Sequence, residues 1–270
     1  MNRLPTGMFL PGDSFIHRLD SRVKLLALFI AVASVLFVDS LIGYGVMLVF
    51  TAVIILLSGI PLRTALNSVN KMYWFFLAIL LLNTCFYSPE EAWLSYWIFT
   101  PSLAGLMQGI RVVLSVFLVL VISNVLTSTT SPMEITNALE SLGSPLKYIG
   151  IPTEEIAMIL SVAIQFIPTL SEETEMIRKA QMARGARFDS PKITEKAEAV
   201  LPLVVPIFFA AFKRADELSL AMEARGYRTA AGRTKKKFPH LTIQDCFALA
   251  VVVLVCALQI LLRYKILASP

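Results

Sequence analysis

Charge is what this sequence has least of. Asp, Glu, Lys and Arg make up 16% of its 270 residues, against about 25% in soluble domains. Hydrophobic residues make up 56%, and the mean hydropathy is +0.71. These values exclude a disordered chain, which lacks the apolar residues to bury, and point to an integral membrane protein. Cysteine is scarce too. Cys85, Cys246 and Cys256 all sit in apolar runs and form no Cys-x-x-Cys pair, so they are expected to be small buried hydrophobes. With His17 and His240 as the only histidines, neither a structural metal site of about four soft ligands nor a Ser/His/Asp set can be assembled. Gly-x-x-x-x-Gly-Lys-Ser/Thr does not occur, so no phosphate cradle is visible. Ser21-Arg22-Val23-Lys24 and Ser144-Pro145-Leu146-Lys147 match Ser-x-x-Lys, but the other elements of that serine chemistry are missing.

What is present is a set of apolar runs, at about residues 25–38, 41–60, 73–87, 103–126 and 243–262. Several fall short of the ~20 residues that usually span a bilayer, and flanking Lys24 and Arg263 could snorkel to extend them. Apolarity continues through Ala31-Val32-Ala33, which favours an uncleaved first helix over a signal peptide. Asp39-Ser40 is a tight link, so the first two helices read as an antiparallel hairpin. The centres of the five runs contain no acidic residue, whereas a proton-driven pump or secondary transporter usually needs one there. Arg111 lies inside the fourth run and reads either as functional or as snorkelling near the outer interface. Gly105 and Gly109 form a small-xxx-small pair that would let a neighbouring helix approach closely.

The net charge of +5 reports topology more than nucleic acid. Arg3, Arg18, Arg22 and Lys24 precede the first run and Arg63 and Lys71 follow the second. Residues 88–102 contain no basic residue, residues 127–242 contain fifteen, and only Arg263 and Lys265 follow the last apolar run. The N-terminus and residues 127–242 are therefore expected in the cytoplasm, with the C-terminus outside. The expected organisation is a membrane body with four spans (1–126), a cytoplasmic helical region (127–242) and a last span (243–270).

Residues 127–242 are too many for a structureless loop. Ser131-Pro132-Met133-Glu134 opens a helix with Pro at its first position, and Gly143 stops it. Residues 154–170 are apolar, interrupted by Gln165 and Pro168. Thr169 and Glu172 have capping-box spacing, so a second, charged helix is expected from there. The plan then repeats. Residues 199–212 are apolar with Pro202 and Pro206, and a charged helix follows. Phe208, Phe212, Ala215, Ser219 and Met222 share one of its faces, and Lys213 and Glu217 form an i,i+4 pair. Both halves end alike: Ala183-Arg184-Gly185 with Arg187, and Ala224-Arg225-Gly226 with Arg228, at a constant offset of 41. A basic last turn followed by Gly is what a helix end favours by itself. Two copies in equivalent contexts point further, to a pair of docking tips. In each, Arg offers a rigid donor fork to a carboxylate.

The chain resembles the transmembrane T component of energy-coupling factor (ECF) transporters over essentially its whole length. Pro11-Gly12-Asp13-Ser14, His17-Arg18-Leu19-Asp20, Ser131-Pro132-Met133-Glu134-Ile135, Gly150-Ile151-Pro152, Arg214-Ala215-Asp216-Glu217 and the two Ala-Arg-Gly signatures carry the resemblance. It implies an all-α integral membrane protein of about five transmembrane helices, with long amphipathic coupling helices inserted between the fourth and fifth. It also implies a non-catalytic scaffold in the bacterial cell membrane. The expected partners are two ABC-type ATPases (a homodimer or a heterodimer), one small vitamin-binding membrane subunit and the lipid bilayer, with no nucleic acid. ATP and Mg would be bound by the ATPases, and no cofactor by this chain. Ala183, Arg184, Gly185, Ala224, Arg225 and Gly226 would dock the ATPases, supported by Arg187 and Arg228. The apolar residues 156–167 and 200–212 would meet lipid or the substrate-binding subunit. A stand-alone solute carrier and a membrane-embedded enzyme are the alternatives.

Overall fold

A computed structural model describes residues 10, 12–86, 102–186, 188, 191–227 and 241–267. The protein is all-α. In chain order its helices are α1 (Ser21–Leu36), α2 (Leu41–Ser58), α3 (Leu62–Asn70), α4 (Tyr73–Phe86), α5 (Leu103–Thr129), α6 (Pro132–Leu142), α7 (Thr153–Ala183), α8 (Ile193–Ala224) and α9 (Ile243–Leu267), with a 3₁₀ turn at Ser144–Ile149. The chain divides into two compact units, residues 1–138 with 239–270, and residues 139–238.

Among the described residues, α2, α5, α7 and α9 are long and apolar enough to cross a membrane, and α4 is a shorter apolar helix. α1 has 16 residues, about 24 Å at 1.5 Å per residue. Its far end is carried on by the link 37–40. Gln165 and Pro168 interrupt the apolar residues 154–170, yet by length and composition the continuous helix α7 also qualifies.

In the first unit α5 packs against α1, α2, α3 and α4, and α1 also packs against α9. One buried cluster joins Ala31 and Val35 of α1, Tyr44 and Met47 of α2, Leu118 and Ile122 of α5 and Val252 of α9. A second joins Ile55, Ile60, Ala65, Val121 and Val125. Lipid tails are as apolar as these side chains, so close packing and polar bonds hold such helices together. The small residues of α5 supply the close packing. A Cβ on Gly105 would lie 2.5 Å from the Asn83 carbonyl oxygen of α4, and one on Gly109 would lie 3.3 Å from that of Leu80. Polar side chains supply the rest. Asn124 Nδ2 donates to the Thr64 and Ala65 carbonyls at 3.0 and 2.9 Å. Tyr44 Oη and Ser115 Oγ are 2.9 Å apart. Gln259 of α9, 2% exposed, donates to the Gly43 carbonyl of α2 at 3.0 Å.

The N-terminal segment is tied to this unit. The His17 ring hydrogen-bonds with Ser14 Oγ at 2.6 Å and with the Leu10 carbonyl at 3.0 Å. Leu10 N–H donates to the Ser128 carbonyl at the end of α5. Asp245, in the first turn of α9, accepts from the Thr242 N–H and the Asp20 N–H, both at 2.8 Å. Lys24 does not snorkel outward. It is 4% exposed, and its ammonium donates to the His17 and Thr129 carbonyls at 3.0 and 3.2 Å, acceptors that satisfy the charge inside. Arg263 pairs with Asp39 at 3.0 Å and lies over the Phe37 ring, which closes the far end of α9 on the α1–α2 link. Cys246 is exposed and Cys85 and Cys256 are half-buried, so the cysteines are not the fully buried residues that their apolar surroundings suggested.

The Gly105 contact gives a matched test. Gly105→Ala should cost about 1–3 kcal/mol by overpacking and lower the Tm of the detergent-solubilised protein. Gly45→Ala, with nothing within 4 Å of the new Cβ, should be neutral or gain up to about 1 kcal/mol. Equal melting of the two variants would show that α4 and α5 do not approach closely.

Candidate functional site: two equivalent helix tips

The second unit begins within α6, whose start is a reciprocal capping box. Ser131 N–H donates to Glu134 Oε2 at 3.2 Å, and Glu134 N–H donates to Ser131 Oγ at 3.3 Å. Its end closes with Gly143 N–H on the Leu139 carbonyl at 2.8 Å. The two long helices that come next overturn one expectation. α7 runs unbroken from Thr153 through Pro168 to Ala183, so Thr169 and Glu172 lie inside a helix and cap nothing. α8 likewise runs through Pro202 and Pro206. An interior Pro removes one backbone bond and costs about 3 kcal/mol. Long helices with many remaining bonds tolerate that, and each arm is therefore one rod of about 46–48 Å instead of two shorter helices.

α7 and α8 pack against each other. Arg214 Nε lies 3.6 Å from Glu173 Oε2 across the pair. Glu175 pairs with Arg178 and Lys179 along α7, and Lys213 with Glu217 along α8. The buried stripe of α8 runs through Ala199 and Leu203 and continues, half-buried, through Ile207, Arg214 and Leu218. Phe208, Phe212, Ala215, Ser219 and Met222 share a face, as their spacing indicated, and that face is exposed except at the half-buried Met222. Leu201, Val205 and Phe209 widen it into an apolar strip; Phe209 is 73% exposed. α7 exposes Ile156, Ile159 and Ile167 in the same way.

The tips are superposable in their hydrogen bonding. Arg184 is the C-cap of α7 and Arg225 that of α8, with φ,ψ of −85°,2° and −84°,6°. Gly185 and Gly226 follow in the left-handed region, at φ 95° and 69°. Gly185 N–H donates to the Met182 carbonyl and Ala186 N–H to the Gln181 carbonyl. Gly226 N–H and Tyr227 N–H do the same to Glu223 and Met222. Each tip is thus a full Schellman motif, with Arg at the position where the last turn leaves the helix. Ala183, Arg184, Gly185, Ala224, Arg225 and Gly226 are all exposed. A Cβ on either glycine would touch nothing within 4 Å, so glycine is required by the backbone alone. Arg187 and Arg228 lie outside the described residues.

Asn124, Asp245 and Gln259 were not singled out in the sequence, though each is a polar residue in or beside an apolar run. That is the signal that would have found them. Arg111 is exposed in the third turn of α5, and its described contact is the acceptance by its carbonyl of the Ser115 hydroxyl.

The helices and their apolar surfaces define a multi-pass membrane protein. A family model described as "Cobalt transport protein" (CbiQ) matches residues 12–237. The chain is 37% identical over 263 residues to the energy-coupling factor transporter transmembrane protein EcfT of Bacillus subtilis, covering 97% of this chain and 99% of that one. It is 37% identical over 264 residues to the protein of the same name from Streptococcus thermophilus, covering 98% and 99%. It is 40% identical over 230 residues to that of Acidaminococcus fermentans, covering 85% of each. The chain belongs to this family of transporter transmembrane components.

The tips make a local prediction. Gly185→Ala or Gly226→Ala places a Cβ in the left-handed region at a cost of about 1–2 kcal/mol. Amide exchange at Ala186 or Tyr227 should accelerate about 5–30-fold, with Asn in place of Ala milder. Unchanged exchange at these amides would rule out the Schellman closure.

Proposed function

We propose that this chain is the non-catalytic membrane scaffold of an ATP-driven, ECF-type vitamin importer, and that Arg184 and Arg225 each dock one ABC-type ATPase subunit. The observation that carries this reading is the duplicated tip, an exposed Arg C-cap closed by a left-handed Gly on two long, mutually packed helices. A helix end needs only one such closure to be stable. Two alike, on arms joined by Arg214 and Glu173, suit a pair of similar grooves on a dimeric partner. Arg presents a planar fork that pairs with a carboxylate bidentately, which Lys cannot do.

On this reading the arms and the N-terminus are cytoplasmic and the C-terminus is outside, in the bacterial cell membrane. The ATPase pair, whether a homodimer or a heterodimer, binds ATP and Mg, and its closure moves the two tips. The exposed apolar strips of α7 and α8 exceed what a free cytoplasmic surface carries, and they would seat a small substrate-binding membrane subunit. Substrate selection belongs to that subunit. The family name's cobalt and the relatives' energy-coupling role support a micronutrient importer without naming its cargo.

Arg184→Ala combined with Arg225→Ala should leave membrane insertion intact and weaken ATPase association. A buried charge pair broken on one side costs about 2–5 kcal/mol, so co-purification in mild detergent should fall by at least tenfold and uptake should be lost. Full uptake with both ATPases retained would refute the docking role.

A further inference from the structure

The membrane unit contains a crevice of about 200 Å³, bounded by residues 15–19 and by α1, α2, α5 and α9. Its floor includes Val23, Ala31, Ile122, Val125 and Val252, all buried. Its rim is exposed: Val53 and Leu57 on α2, Phe247 and Val251 on α9, and Phe15 on the N-terminal segment. The opening therefore lies on the outer surface of the helices, between α2 and α9. Of the twenty lining residues only Lys24 and Thr129 are polar. Both are engaged: Lys24 Nζ donates to the His17 and Thr129 carbonyls, and Thr129 Oγ1 donates to the Val125 carbonyl at 2.8 Å.

A buried water needs two to four polar partners, and apolar cavities of about 150 Å³ stay dry and take up benzene or xenon. This crevice offers water no such set. Left empty, its lining forfeits dispersion contacts on one side. In a bilayer the apolar molecule at its opening is the lipid chain. At one end of the crevice Arg18 is exposed, in the turn that also supplies the lining residues Ile16 and Leu19. Lys24 lies in the field of the Glu134, Asp20 and Asp245 carboxylates, so the charge open to a phosphate is that of Arg18. We propose that the crevice holds one acyl chain of a bilayer phospholipid, with its phosphate toward Arg18. The occupant lies between residues 15–19, α2 and α9. The proposal does not depend on the docking role of the tips.

The test uses the full-length protein in vesicles of phosphatidylglycerol and phosphatidylethanolamine, doped with a phospholipid carrying a mid-chain diazirine. The protein is re-extracted into mild detergent, freed of bulk lipid and irradiated, and the label is mapped by mass spectrometry. Retained label should fall on residues 50–57 and 247–252, at about one lipid per chain. Ala27→Leu and Ala248→Phe, which fill the crevice, should each reduce it about tenfold, and Arg18→Gln should reduce it several-fold. Leu261→Phe on the exposed face of α9 should leave it unchanged. No retained label overturns the proposal, as does label spread over outward residues such as Leu254 and Leu261 and insensitive to both filling variants. An Arg18→Gln variant that keeps full label overturns the phosphate placement. Should the filling variants not fold, the position of the label on the unaltered chain decides.

Discussion

In hydrocarbon, a helix gains little by exchanging lipid contact for contact with another apolar helix, so assembly depends on backbones that come close and on polar side chains with no better partner. α5 provides both, and the membrane unit is arranged around it. Its glycines lie against α4 at Asn83 and Leu80. Asn124 holds two carbonyls of α3, Ser115 meets Tyr44 of α2, and Leu118 is fully enclosed among α1, α2 and α9. Buried side-chain amides are costly without partners, and here each partner lies on a different helix. The contacts therefore select one arrangement of the helices as well as stabilising it.

The N-terminal segment is held by the same logic. His17 and Asp20 belong to the opening motif of the family resemblance and Lys24 follows it, and each makes a bond at distant points of the chain: His17 through Leu10 to the end of α5, Lys24 to Thr129, Asp20 to Asp245. Asp245 also accepts from the Thr242 N–H just before α9. One carboxylate thus joins the two ends of the membrane unit, and the motif is a structural clamp before it is anything else. In the other unit the polar economy is reversed. Ion pairs run along exposed faces, where each is worth little, and the apolar strips of α7 and α8 point outward. Surfaces of that kind are built to be covered.

The parts of this organisation legible in the sequence were those set by local chemistry. The apolar runs, the helix start at Ser131-Pro132, the Lys213–Glu217 pair and the glycine-closed tips at Arg184 and Arg225 each depend on a few neighbouring residues. Gly105 and Gly109 showed that a helix could come near, but not that it would be α4. What was not legible depended on the whole fold. Pro168, Pro202 and Pro206 look like breaks until the length of the intact helices outweighs one lost bond at each. Lys24 looks like a snorkelling residue until the carbonyls of His17 and Thr129 are brought to it from elsewhere in the chain. The spacing of Phe208 and Phe212 defines a face, but whether that face is inner or outer is decided by Ala199 and Leu203 on the opposite side.

The central claim is that two equivalent tips engage two ATPase subunits. The most direct measurement places a photo-crosslinking residue at Ala183 or at Ala224, leaving both arginines intact, in the complex purified from native membranes. Each position should capture an ABC-type ATPase, one subunit per tip, with the crosslink sensitive to the adjacent Arg. Capture of lipid or of another membrane protein at both positions, with no ATPase, would contradict the account.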